Sequence, residues 1–142
     1  MNPAAAATAS AIVFVWLGMV LAISFLEAPL KFRAPGVTIP VGLGIGRLVF
    51  RALNTVETAL AAVAVVAVVA GGAPAGVTWL TAAVAVLSAA QPAVVRPRLN
   101  RRSDRVLAGE DLPRSRGHLW YVALEFAKVL ALVALGVGLV RL

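Results

Sequence analysis

Three charges stand where a lipid-facing helix tolerates none: Glu57 in one mostly apolar run, Glu125 and Lys128 in another. A charge at the centre of a membrane helix costs ~2.5–3.5 kcal/mol on insertion scales. Such groups turn toward protein or a wet cavity and mark a site. Their neighbours are polar too. Arg47, Arg51, Asn54 and Thr58 share one helical face, with Glu57 three residues beyond Asn54. His118, Tyr121, Glu125 and Lys128 follow spacings of 3, 4 and 3, again a single face. Ser24 and Glu27 close the first apolar run, and Ser88 and Gln91 lie near the end of the third. Glu27, Arg47, Arg51, Asn54, Glu57, Gln91, His118, Tyr121, Glu125 and Lys128 are therefore expected to form one charged polar pocket open to the cytoplasmic side. Arg47, Arg51, Asn54 and Glu57 could hold an anionic group, as a membrane enzyme would. Glu57, Glu125 and Lys128 could exchange protons, as a small proton-coupled transporter would. The same charges could also act as interhelical glue in a structural or assembly subunit.

Depth sharpens the pairing. Glu57 lies ten residues beyond Arg47, or ~15 Å along a helix. Lys128 is ~15 Å from His118 by the same rise. Lys128 is therefore expected to pair with Glu57 across the bundle or with Glu125 along its own helix. His118 reads as an interfacial cap before a catalytic base. Trp120 and Tyr121 read as aromatic-belt residues, and Trp16 and Trp79 as packing residues.

The composition removes other chemistries. There is no cysteine and one histidine, so disulfides, thiolate metal sites, Cys nucleophiles and a bis-His haem within one chain are excluded. No metal set emerges, and no cofactor is specified. The Gly42-Leu43-Gly44-Ile45-Gly46 run follows no strand, so it lacks the context of a nucleotide-binding loop.

Four apolar runs position these residues, at about 5–27, 47–70, 77–95 and 118–140. The 142 residues are 61% hydrophobic and 13% charged, against roughly 25% charged in soluble domains. They make one membrane domain, 1–142. The fold class is all-α, a four-helix transmembrane bundle, because each helix satisfies its own backbone in lipid. The first run is too long for a signal peptide and lacks a positive flank, so it is read as retained. It should end at Glu27-Ala28-Pro29, since Pro disfavours helix before it. Residues Leu30–Gly46, rich in Pro and Gly, should form an interfacial loop, and Gly71-Gly72-Ala73-Pro74 an uncharged turn.

Loops one and three hold nine of the 13 Lys and Arg. Seven arginines fall between Arg96 and Arg116. The positive-inside rule puts these loops in the cytoplasm and both termini outside. The arginine run sits between two spans, so anionic lipid head groups are its expected partners, not nucleic acid. Alanine, valine and arginine usage suggests a GC-rich bacterial genome, hence a multi-pass protein of the bacterial cytoplasmic (inner) membrane. Alanines at 59, 61, 62, 64, 67 and 70 allow close helix approach, which fits a homodimer or homotrimer.

Two resemblances accompany these residues. The segments Glu27-Ala28-Pro29-Leu30-Lys31-Phe32, Gly46-Arg47 with Phe50, and Asn54-Thr55-Val56-Glu57 resemble a family of small, uncharacterised bacterial four-helix membrane proteins. Gln91, Pro97, Leu99, His118, Tyr121, Leu124-Glu125 and Lys128 extend the resemblance over most of the chain. It implies a four-helix fold and no particular activity. Arg51-Ala52-Leu53-Asn54-Thr55-Val56-Glu57 also resembles the second-helix pattern of the membrane-associated eicosanoid and glutathione metabolism family, with one residue fewer between Ala and Asn. That resemblance implies a trimeric enzyme with a cytoplasmic-side site, acting on a lipophilic substrate with an anionic or thiol co-substrate.

Overall fold

The computed structural model describes residues 1–109 and 116–142; between 94 and 118 it describes side chains only at 97, 100, 101, 104, 105 and 107–109. Among these residues all regular structure is helical. Asn2 caps α1 (Pro3–Val20), its side-chain oxygen accepting from the amides of Ala4 and Ala5 at 2.8 and 3.3 Å. Pro3 sits in the first turn, where a missing N–H costs nothing.

The first helix does not stop at Pro29. Its winding loosens into a π-helical turn over Leu21–Glu27, then continues through α2 (Ala28–Leu30) and a 3-10 turn at Lys31–Arg33. Pro29 offers no N–H to the carbonyl of Phe25 and crowds it. The wider turn ahead of it accommodates the mismatch.

Only 34–38 separate this path from α3 (Ile39–Ala70). The expected loop at Leu30–Gly46 is thus mostly helix. Thr38 caps α3 by accepting from the Val41 amide at 3.3 Å, with Pro40 in the first turn. The glycine run has a packing role. A Cβ at Gly42 would collide with the Phe32 ring, and one at Gly46 would stand 3.0 Å from Lys31 Nζ. Two glycines one turn apart let residues 31–32 lie directly on α3, much as small residues admit close helix contact in membranes.

A turn at 71–74, with Gly72 at φ +67°, leads into α4 (Ala75–Ala90). A second π-helical turn, Gln91–Val95, stands ahead of Pro97 as the first stands ahead of Pro29. The basic segment, read from sequence as a loop from Arg96 to Gly117, begins with a helix, α5 (Arg96–Leu107). The chain ends with α6 (Arg116–Val140).

Four helices are long and apolar enough to cross a membrane: Pro3–Arg33, Ile39–Ala70, Ala75–Ala93 and Leu119–Val140. They form a four-cornered bundle. α1 and α4 each pack on both α3 and α6, so α3 and α6 face each other across a diagonal. The half nearer the termini has a dry core of Ala9, Val13 and Val20 with Val68, Val77, Val84, Leu132, Leu135 and Leu139. Nearer the basic segments lies a smaller cluster of Phe50, Leu53 and Tyr121. Large apolar side chains such as Leu48, Val66, Val86, Phe126 and Leu130 point outward, as they must where the solvent is lipid. Trp79, read from sequence as a packing residue, is 75% exposed.

Candidate functional site

Between the two apolar clusters lies a layer of buried polar side chains, with one contributor or more from each corner of the bundle. Lys128 and Gln91 are 0% exposed, Glu57 is 1% and Glu125 is 2%. The Lys128 ammonium lies 2.7 Å from Glu57 Oε1 and 2.8 Å from Glu125 Oε1. It therefore makes both expected pairings at once, one across the α3–α6 diagonal and one along its own helix. The Trp16 indole Nε1–H donates to Glu57 Oε1 at 2.9 Å. The Gln91 amide donates to Glu125 Oε1 at 2.6 Å. Trp16 thus ties α1 to α3, and Gln91 ties the end of α4 to α6.

Helix geometry explains why these residues meet. Counted from the helix ends near the termini, Trp16, Glu57 and Lys128 are all ~18–20 Å deep at 1.5 Å per residue. Glu125 and Gln91 are ~22–24 Å deep by the same rise. Because α3 starts well before Arg47, Glu57 is farther from the start of its helix than its distance from Arg47 suggests. Trp16 is the member that sequence reasoning missed. It follows Ala9 and Val13 at core spacing, which conceals its polar handle; only its matching depth from the helix end could have revealed it.

Glu57, Gln91, Glu125 and Lys128 are thus buried, and among the described residues they line no open pocket. A buried ion network of this kind can fix helix register, and it leaves some acceptors unused. Glu125 Oε2 and Gln91 Oε1 are buried without a hydrogen-bond partner among the described residues, as is Ser88 Oγ one turn before Gln91.

A separate groove of about 540 Å³ opens beside the layer, on another face of α3. Its walls include Arg47, Arg51, Asn54, Thr55 and Thr58, facing Pro92 and Asn100. The Arg47 guanidinium pairs with the Asp104 carboxylate of α5. Arg51 is exposed and pairs with no carboxylate among the described residues. Asn54 Oδ1 is buried and unpartnered. The Thr55 and Thr58 hydroxyls donate back to the carbonyls of Arg51 and Asn54, at 2.9 Å each. Their oxygen lone pairs stay available to the groove.

The other sequence candidates lie elsewhere. Glu27 pairs with Lys31 at 3.8 Å, one turn along the chain, and that ammonium also lies 5.9 Å from the centre of the Phe50 ring. Tyr121 is buried and meets Phe50 edge to face, with ring centres 5.6 Å apart. The His118 side chain lies outside the described residues. Among the described residues no group of three His, Cys, Asp or Glu side chains could hold a metal ion.

The chain matches no family model, no curated protein and no solved structure.

Proposed function

We propose that this chain is a multi-pass protein of a bacterial cytoplasmic membrane that binds an anionic amphiphile in the groove between α3, the end of α4 and α5. The observation that carries this reading is Arg51: a cation without a carboxylate partner among the described residues, on the wall of a polar groove, one turn from the buried Asn54 Oδ1, which is unsatisfied among the same residues. A guanidinium presents several donors in a fork and suits a carboxylate or phosphate. Asn54 Oδ1 requires a donor ~4.5 Å further along the helix axis. The ligand that satisfies both has an anionic group with a hydroxyl or amide beside it, and an apolar body that follows the groove into the bilayer. Loops one and three then face the cytoplasm, with Arg101 and Arg105 exposed on α5 to hold anionic lipid head groups nearby.

The resemblance of Arg51–Glu57 to the eicosanoid and glutathione metabolism family fits an enzyme that would place an anionic or thiol co-substrate here. In this reading Arg47, Arg51 and Asn54 serve the groove, while Glu57 is committed to the layer by Trp16 and Lys128. A structural role for the layer itself is supported by its links among all four membrane helices.

Native mass spectrometry of the protein with added phosphatidylglycerol tests the proposal. A hydrogen bond to a charged group contributes ~1.5–3 kcal/mol, so Arg51→Gln should weaken binding roughly 10- to 150-fold. Arg141 is exposed beyond the far end of α6, and Arg141→Gln should change binding little. Equal losses in both variants would reduce the interaction to general attraction between basic residues and lipid, and unchanged binding in Arg51→Gln would refute the groove.

A further inference from the structure

Among the described residues the ionic layer has one positive charge too few. It contains two carboxylates, Glu57 and Glu125, and one ammonium, Lys128, all buried. No arginine pairs with either carboxylate among the described residues. With every group ionised the layer would carry a net negative charge in surroundings that cannot solvate it, an arrangement protein interiors avoid.

The hydrogen bonding shows where the missing charge belongs. Glu57 spends Oε1 on Trp16 and Lys128. Glu125 spends Oε1 on Lys128 and Gln91. Around Glu125, two acceptors, Glu125 Oε2 and Gln91 Oε1, are buried and receive no donor among the described residues; the nearby Ser88 and Tyr121 hydroxyls donate to neither. The Gln91 amide already reaches the same carboxyl group through its nitrogen at 2.6 Å. A carboxylic acid and a primary amide joined in this way complement each other fully when the acid carries its proton. The amide N–H donates to one carboxyl oxygen, and the O–H on the other oxygen donates to the amide carbonyl.

We propose that the layer is a proton-binding site, with one proton held on Glu125 Oε2 and directed at Gln91 Oε1. That proton turns a surplus acceptor into a donor, satisfies two orphaned atoms and leaves the layer neutral, with Glu57 and Lys128 as its single ion pair. The groups around it are Glu57 on α3, Lys128 and Tyr121 on its own helix, and Gln91 with Ser88 from the α4 side. Trp16 of α1 stands beyond, at Glu57. The site is independent of the anion groove, which lies on another face of α3.

Infrared spectroscopy of the protein in lipid at neutral pH reads this proton directly. The expected result is a carboxylic-acid C=O band that shifts when the protein is grown with carboxyl-¹³C glutamate. It should move to higher frequency in Gln91→Leu, where the acid loses its acceptor, and disappear in Glu125→Gln. In Glu57→Gln it should also disappear, because Glu125 must then ionise to serve Lys128. Absence of the band from the wild-type protein, or a band unmoved by the glutamate label, would overturn the proposal. Survival of the band in Glu125→Gln would do the same. If Glu125→Gln does not fold, Gln91→Leu still decides: Glu57 shares no hydrogen bond with Gln91 among the described residues, so an unshifted band would place the proton elsewhere and refute the assignment.

Discussion

Lys128→Met is the most informative single change to this protein. Methionine nearly matches lysine in length, so packing is conserved while the charge is lost. In the wild-type protein one ammonium serves two carboxylates, at 2.7 and 2.8 Å, in a layer without solvent access. After the change Glu57 keeps only the Trp16 indole and Glu125 only the Gln91 amide. Removing one partner of a buried ion pair costs ~3–5 kcal/mol, mostly because a bare charge is left behind. The loss here should fall toward the upper end of that range, because two acceptors lose the same cation. The second substitution locates the stranded charge. If Glu125 already holds a proton, Glu57 is the bare carboxylate, and Lys128→Met with Glu57→Gln should recover at least half of the loss. Lys128→Met with Glu125→Gln should recover much less, since it removes no charge. Chemical denaturation in mild detergent, followed by circular dichroism, measures all of these variants. A loss below ~1 kcal/mol in Lys128→Met, or no recovery in either double variant, would refute the account of the layer as an ion-paired lock.

Other changes test other parts of the structure. Trp16→Phe removes the indole donor to Glu57 and should cost ~1–3 kcal/mol by chemical denaturation. In a Trp79→Phe/Trp120→Phe background, fluorescence from Trp16 should resist lipid-borne quenchers that reach the exposed Trp79 and Trp120. Gly71→Ala should destabilise by ~1–3 kcal/mol in the same denaturation assay, because its methyl would stand 2.6 Å from both Ala5 Cβ and the Ala67 carbonyl oxygen. Arg51→Gln should leave stability within ~0.5 kcal/mol, as expected of a surface change away from the packed layer, while it weakens amphiphile binding. For orientation, Ser103→Cys should label only from the cytoplasm and Ala73→Cys only from outside, as the Lys/Arg bias requires; the reverse pattern would invert the topology.

The pairing of Lys128 was legible in the sequence for two reasons. Three-residue spacing puts Glu125 and Lys128 on one helical face, and equal depth brings Glu57 to the same level from the opposite corner. The four-helix architecture was legible because long apolar runs leave few alternatives. Helix ends were less legible. Pro29 and Pro97 read as stops, but a π-helical turn just ahead of each lets the helical path continue. The Gly42–Gly46 run reads as a flexible loop until Phe32 and Lys31 are seen lying on it. Trp16 and Trp79 read alike in sequence, since each is an aromatic in an apolar helix; one is buried against Glu57 and the other faces outward. Arg47, Arg51 and Asn54 share a face with each other but not with Glu57. Spacing alone merged into one pocket what the structure divides into a closed layer and an open groove.

That division has a physical logic. Lipid tails are as apolar as valine and leucine, so burying such residues between membrane helices does little to select one register over another. The core near the termini is built from Ala, Val and Leu with Trp16 at its edge, and it would tolerate small rotations of its helices. The ionic layer would not. Turning α6 by one residue, ~100°, would move Lys128 off Glu57 and toward lipid, at the ~2.5–3.5 kcal/mol that a charge costs there. Three links, Trp16 to Glu57, Lys128 to Glu57 and Gln91 to Glu125, therefore define which helices meet and at what height. The specificity they confer resides on the inner face of α3, at Glu57. The face carrying Arg51 and Asn54 makes none of these links, so it is free to carry a binding site without putting the fold at risk.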